Sequence, residues 1–373
     1  MFTHFFLAFI FEFWEPQETI ILILVPEKSS LMITDQNLLI TGGAGSVGRA
    51  LVSHFLDHEP NVIRVFDNNE PELARLKRDF GDEHCRYLIG DIRDKDRLHR
   101  AMEDIDIVVH TAAMKHVDIS EYNPFEAVKT NVVGLQNVID AAIDRSVQRL
   151  VFTSSDKAVE PANTMGTTKL LGEKLVAAGS EYSGTTDLQL GSVRFGNVIN
   201  SSQSVIPLFR EQIRDGGPVT LTDRRMTRFF LTYDGIAELV STAVKHATTG
   251  EVFVRKMAAI DVENLATVMV QTLAPEFGHD PGTVDITVTG KRPGETLHEH
   301  TMTEREEKRA LVRDDVYAIP PEPTNRESWR SEEPLDGFDP VDTIPRSSNH
   351  AESLSEDEIR ALLKDTITTE TTG

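Results

Sequence analysis

Asn37-Leu-Leu-Ile-Thr-Gly-Gly-Ala-Gly-Ser-Val-Gly48 decides the fold. Leu38, Leu39 and Ile40 make the short apolar run that a buried strand needs. Gly42, Gly45 and Gly48 follow in a G-x-x-G-x-x-G pattern, and an apolar-periodic stretch to Leu56 predicts a helix. Strand, glycine turn and helix in that order let the backbone turn sharply. They also bring the first helical N–H groups, at Ser46 and Val47, up to an anion such as a pyrophosphate.

The stretches on either side repeat the alternation. Val62-Ile-Arg-Val-Phe66 reads as a second strand and ends in Asp67. An acid there accepts both ribose hydroxyls and repels a 2′-phosphate, so NAD is expected over NADP. Tyr87-Leu-Ile89 runs into Gly90-Asp91-Ile92, which places Asp91 near an adenine amine with Ile92 beside it. Asp106-Ile-Val-Val-His110 leads into Thr111-Ala112-Ala113, small residues that let the backbone lie against a cofactor. A helix over 124–142 carries Asn131 and precedes a fifth strand, Leu150-Val-Phe-Thr153. Strands alternating with helices at this spacing predict an α/β, Rossmann-like, doubly wound parallel sheet.

Bulk properties narrow the function. A chain of 373 residues can bury a full α/β core. Its formal charge of −22 repels nucleic acid and anionic lipid, and an acidic surface of this kind also suits high salt. The single Cys85 excludes an internal disulfide and a thiolate metal cluster, in keeping with a cytoplasmic protein. The twelve His are scattered without a metal-ligand spacing, so no metal is expected. Residues 1–31 hold two apolar runs, each shorter than the ~20 residues that span a bilayer. Two readings fit them: a peripheral membrane anchor, or sequence upstream of the true start at Met32.

The strand over 150–153 ends in Ser154-Ser-Asp-Lys157, and a helix beginning after Asn163 presents Met165 and Lys169 on one face. With the glycine turn, these residues carry a resemblance. So do Ala112-Ala-Met-Lys-His-Val117, Glu121-Tyr-Asn-Pro-Phe125, Lys129-Thr-Asn-Val132, Arg194-Phe-Gly-Asn-Val198, Met226-Thr-Arg-Phe-Phe230 and Gly290-Lys-Arg-Pro-Gly-Glu295. Over residues 37–303 the chain resembles the extended short-chain dehydrogenase/reductases. It is similar in particular to the CapD-like UDP-N-acetylglucosamine 4,6-dehydratases of polysaccharide biosynthesis. The glycine motif belongs to the whole superfamily. The Asp156-Lys157 pair and the Lys-Arg-Pro-Gly-Glu segment are more specific.

The resemblance implies a reaction and its residues. Hydride leaves sugar C4 for NAD, the C5 proton becomes acidic, the C6 hydroxyl leaves as water, and hydride returns to C6. Asp156 is expected as the acid, with a pKa raised by burial, and Lys157 as the base, with a pKa lowered by burial. Ser155 fits the contact to the C4 oxygen, and Lys169 the nicotinamide ribose. Met165 stands at the superfamily's tyrosine position, where it cannot transfer a proton, and this departure is itself frequent in the CapD-like group. Gly42, Gly45, Ser46, Val47, Gly48, Asp67, Asp91, Ile92, Ala112, Ala113, Lys115 and Asn131 are the remaining expected cofactor contacts. Lys115, His116, Asn197, Val205, Arg228, Arg292 and Glu295 are expected around the UDP-sugar, the two arginines on its phosphates.

The expected organisation is an N-terminal extension over 1–31 and a dehydrogenase-like unit over 32–303. Its cofactor part lies mainly in 37–193, and an interleaved substrate lobe mainly in 194–303. An acidic wrap and tail over 304–373 would complete the chain. A homo-oligomer is expected, with a UDP-sugar as the partner. A UDP-sugar 4-epimerase and a non-catalytic NAD-binding scaffold are the alternatives, the latter because of Met165.

Overall fold

The computed structural model describes residues 32–184, 186–199, 201, 204–291, 294–322 and 335–368. The 1–31 extension and Arg292 lie outside them. Strands β1 (Asn37–Thr41), β2 (Val62–Asp67), β3 (Cys85–Ile89), β4 (Ile107–His110), β5 (Arg149–Thr153) and β6 (Gln189–Arg194) pair in parallel in the order 3-2-1-4-5-6. The order reverses between β1 and β4, and ligands of open α/β sheets settle at such a point, beyond the carboxyl ends of the strands. Two core layers explain why the sheet is covered on both faces. Leu38 and Ile40 join Ile63, Val65, Val109 and Val151 on one side. Leu39 joins Phe66, Val108, Leu150 and Phe152 on the other, as the period of two requires.

The later chain alternates between this sheet and a second lobe. It supplies β7 (Asn197–Val198), β8 (Val219–Leu221), β9 (Thr227–Leu231), β10 (Thr249–Arg255), β11 (Ala259–Asp261), β12 (Ile286–Val288), β13 (Leu311–Arg313), β14 (Val316–Ile319) and β15 (Asp339–Pro340). β10 adds to β6 in parallel, whereas β14, β13 and β15 continue antiparallel to make ten strands. β7, β9 and β11 form one small sheet, and β8 pairs with β12. The lobe has its own core, including Phe209, Ile213, Leu265 and Met269.

Two expectations differ from the structure. The helix expected over 124–142 is three pieces: Pro124–Val128, a π turn Lys129–Val133, and Gly134–Asp144. The π turn carries Asn131, whose buried side chain reaches back to both backbone groups of Met114. The segment after 303, expected as a peripheral wrap, is part of the fold. Asp314, at φ 51, turns β13 into β14, and Val316 and Ala318 enter the main core. Ile359 and Leu363, from the Glu356–Thr368 helix, are buried in the core of the lobe. The acid-rich flanks of β13 and β14 mask their apolar positions in the sequence, whereas a short helix over Glu356–Leu363 is legible there.

Candidate active site

The glycine turn is shaped for close approach. Gly42 has φ +67, and a Cβ there would lie 2.5 Å from the Ala112 amide nitrogen, so the turn packs on the end of β4. A Cβ on Gly48 would come within 2.4 Å of the Gly42 carbonyl oxygen. Gly45 precedes the Ser46–Leu56 helix without a side-chain cap, and the first turn of that helix has no acidic residue. Its leading N–H groups therefore suit an anion. Asp67 closes the turn from β2, accepting from the Ala44 N–H (3.0 Å) and the Asn69 N–H (2.9 Å).

Other expected cofactor contacts have protein partners. Ser46 lies beside the Tyr233 hydroxyl, and Val47 packs against the main core. Asp91 is chelated by Arg93, through Nε (2.9 Å) and Nη2 (2.5 Å), and that hydrogen bonding holds its carboxyl below the usual range. Ile92 is buried and accepts from Asn137 through its carbonyl (3.1 Å), so it serves the core. Asn131 also donates to Thr168 Oγ1 (2.9 Å), tying the 112–115 segment to the Thr164–Tyr182 helix. Ala113 and His116 are half-buried and Lys115 exposed along that segment.

β5 ends at Thr153, and consecutive serines then face opposite sides. Ser154 Oγ donates to Glu173 (2.6 Å), and Ser155 Oγ donates to Asp156 Oδ1 (2.8 Å). A short 3₁₀ turn, Asp156–Ala158, lets both Asp156 and Lys157 point toward the lobe. Gly166, next to the buried Met165, keeps this turn seated: a Cβ there would be 2.1 Å from the Lys157 carbonyl oxygen. Lys169 donates to the Thr153 carbonyl (2.7 Å) and lies over the Phe152 ring. Burial pulls its ammonium down to about 8, against the pull of Glu173. His110 contacts Thr41 Oγ1 (2.6 Å), and burial, aided by Lys169, lowers its pKa to about 3.

The structure adds a residue that sequence reasoning missed. Glu299 is buried between the lobes. It accepts from Lys157 Nζ (3.3 Å), from Asn197 Nδ2 (3.1 and 3.0 Å) and from the Phe229 N–H (3.2 Å). Arg228 Nε lies 3.4 Å from it, and Lys157 Nζ joins it to the Asp156 carboxyl. No local pattern in Leu297-His-Glu-His300 marks this residue; its partners are 70 to 142 positions away in sequence.

The charges therefore differ from the expectation. Burial alone raises the Asp156 carboxyl, but Lys157, Glu299 and Ser155 together bring it below the usual carboxylate range. Burial alone lowers Lys157, yet Asp156 and Glu299 hold its ammonium above the ordinary lysine value. Glu299 is the raised carboxyl, at about 7. Burial comes first and Asp156 second, opposed by Lys157 and Arg228. Among the described residues Asp156 Oδ2 has no N–H or O–H donor, while the Lys157 side chain is 32% exposed.

Arg228 corrects another expectation. Its Nη1 donates to the Thr227 (2.8 Å) and Leu297 (3.0 Å) carbonyls, and its Nη2 to the Thr296 carbonyl (2.9 Å). With Nε on Glu299, the guanidinium expected on phosphate instead fastens β9 to the 296–299 segment. Glu295 accepts from Thr222 Oγ1 (3.3 Å), and Val205 starts the Val205–Arg214 helix on the lobe core. A depression of 640 Å³ is lined by Phe125, Val128, Pro161 and Thr164 among others, and shares no residue with the Glu299 cluster.

Comparison with known proteins identifies the family. Residues 38–321 match the family model described as polysaccharide biosynthesis protein. A Methanocaldococcus jannaschii protein described only as an uncharacterized membrane protein is 46% identical over 287 residues, 77% of this chain and 86% of that one. A Campylobacter jejuni UDP-N-acetylglucosamine 4,6-dehydratase (inverting) is 38% identical over 78% of this chain and 84% of its own length. A Rickettsia massiliae UDP-glucose 4-epimerase is 36% identical with the same coverage. Among solved structures, Pen from Bacillus thuringiensis superposes with a TM-score of 0.80 at 40% identity, over 89% of this chain and 98% of that one. The Streptomyces venezuelae dTDP-glucose 4,6-dehydratase DesIV, with NAD and TYD bound, gives 0.62 at 26% identity, over 70% and 86%. With its glycine turn at the β1/β4 switch point, the chain is thus an extended short-chain dehydrogenase/reductase, and it belongs to the polysaccharide biosynthesis family of nucleotide-sugar dehydratases and epimerases.

Proposed function

We propose that this protein is an NAD-dependent 4,6-dehydratase of UDP-N-acetylglucosamine, acting in surface-polysaccharide or glycan biosynthesis. The observation that carries the reading is the carboxyl–amine contact at the end of β5, Asp156 Oδ1 to Lys157 Nζ at 3.1 Å, beside Lys169. Elimination of water across C5 and C6 needs an acid and a base in one place. A 4-epimerase needs neither there. Bound NAD would supply the hydride chemistry, out from C4 and back to C6. The turn at Gly42, Gly45 and Gly48 holds the pyrophosphate, and Asp67 the adenosine ribose hydroxyls. Lys169 faces the nicotinamide ribose, Lys157 takes the C5 proton, and Asp156 is the proton source for the departing C6 hydroxyl. Met165 has no proton to transfer, so the proton traffic falls to the Asp156–Lys157 turn.

The names of the relatives support either a dehydratase or an epimerase, and the Asp156–Lys157 turn favours the first. Tyr122 and Phe125 are 88% and 67% exposed, and such apolar surface supports a homo-oligomer. Among the described residues no helix is long and apolar enough to cross a membrane; a cytoplasmic site of action belongs to this proposal. Proton NMR with UDP-N-acetylglucosamine tests the reading. The expected product has a C6 methyl doublet, whereas a changed H4 coupling alone would mean epimerisation, and an unchanged spectrum a scaffold.

A further inference from the structure

We infer that Glu299 is a positioning residue for the dehydration, sharing one proton with Asp156 so that Lys157 can give up its own. The inference rests on the dehydratase reading above. Its basis is geometric. Lys157 Nζ bridges the two carboxyls, 3.1 Å from Asp156 Oδ1 and 3.3 Å from Glu299 Oε1. Both carboxyls therefore meet at one nitrogen, and among the described residues Asp156 Oδ2 has no N–H or O–H donor.

Four charged groups meet here: Asp156 and Lys157 from the turn after β5, Arg228 from β9, and Glu299. As two carboxylates and two cations they balance. Moving one proton from Lys157 to the carboxyl pair keeps the balance and creates a neutral amine and a carboxylic acid together. Those are the base and the acid of the elimination. Asp156 alone takes up that proton poorly, because its neighbours hold its carboxyl low. Glu299, raised to about 7 chiefly by burial and then by Asp156, is the better acceptor. The neutral donors of Asn197 and the Phe229 N–H keep it in place.

The elimination then balances within the cluster. The Lys157 amine takes the C5 proton and becomes an ammonium. The electron pair of the broken C5–H bond forms the C5–C6 double bond beside the C4 ketone. The C6–O bond breaks, its electrons leave with oxygen, and that oxygen takes the proton of the carboxyl pair by way of the Ser155 hydroxyl. Water departs, and Lys157 again faces two carboxylates.

Glu299→Gln, Glu299→Asp and Asp156→Asn test this. In single turnovers with UDP-N-acetylglucosamine and NAD, the ratio of dehydration to C4 oxidation should fall 10²-fold or more in Glu299→Gln, within the range of a lost acid–base group. Glu299→Asp should recover part of it. A ratio within threefold of the wild type in Glu299→Gln overturns the inference. Infrared titration of the full chain reads the shared proton without any substrate. A carboxylic acid carbonyl band that titrates near neutrality in the wild type should be lost in both Glu299→Gln and Asp156→Asn. A band kept in both overturns the inference as well. If the wild type makes no 4-keto sugar, the dehydratase reading fails, and the infrared result alone decides whether the proton is shared.

Discussion

Two buried charge clusters grow from adjacent serines, and they are built to opposite rules. Ser154 leads to Glu173, which pairs with Arg194 through Nε (3.0 Å) and Nη2 (2.6 Å). Arg194 also meets Glu306 (3.0 and 3.2 Å) and the Thr301 carbonyl (2.9 Å). Every donor of this cluster has a fixed acceptor, and Glu306 is further held by the Thr303 N–H (2.8 Å). Ser155 leads to Asp156, Lys157 and Glu299, where two carboxyls face each other and the lysine is partly exposed. The first cluster is closed and joins helix Thr164–Tyr182, β6 and the chain after 300. The second gathers two buried carboxyls on one lysine amine. Saturated pairing gives architecture, whereas a surplus of acceptors around one proton gives chemistry.

The largest expected effect separates the two in kind. Lys157→Ala should lower dehydration by ~10²–10⁴, and it should shift the urea midpoint less than the loss of Arg194 does, because Arg228 still faces Glu299 and Glu299, raised to about 7, can take up a proton. Arg194→Met should do the reverse. Leaving Glu173 and Glu306 buried without their cation should destabilise the fold by ~3–5 kcal/mol, read by urea denaturation.

The pH dependence should have opposite signs. Arg194 holds the Glu306 carboxyl at about 2, against the opposing effect of burial. A depressed carboxyl contributes stability above its unfolded pKa of ~4.3, and that is lost as pH falls toward 2. Glu299, raised to about 7, behaves oppositely. It contributes fully below ~4.3 and loses that contribution as pH rises through 7. Urea midpoints of wild type and Glu299→Gln between pH 4 and 8 should therefore converge toward the alkaline end, with the wild type gaining relative stability on the acid side. Parallel curves would contradict the assignment. The smallest expected effect lies at the glycine turn. Asp67→Ala should shrink an NAD-over-NADP preference of about tenfold, or ~1.4 kcal/mol, measured by calorimetry.

The parts legible in the sequence are those where chemistry and local structure coincide. Gly42 to Gly48 sit between a strand and a helix, and Asp156-Lys157 follows a strand directly, so spacing alone puts them at the rim of a sheet. Residues whose role depends on distant partners were not legible. Glu299 gains its meaning from Asp156, Asn197 and Phe229, which only the folded chain brings together. Arg228 was read as a phosphate ligand because a free guanidinium favours one, but three backbone carbonyls reach it first. The chain after 303 hid β13 and β14 among acids, where short apolar runs carry little periodic signal.

Deuterium exchange at sugar C5 tests the central claim most directly, the division of labour between Lys157 and Asp156. With UDP-N-acetylglucosamine in deuterated water, Lys157→Ala should form the 4-keto sugar without exchange at C5 and without a methyl group. Asp156→Asn should exchange C5 while forming little methyl product. Exchange retained in the lysine variant and lost in the aspartate variant would contradict the account by reversing the roles, and full turnover in both would leave the Asp156–Lys157 turn a purely structural element.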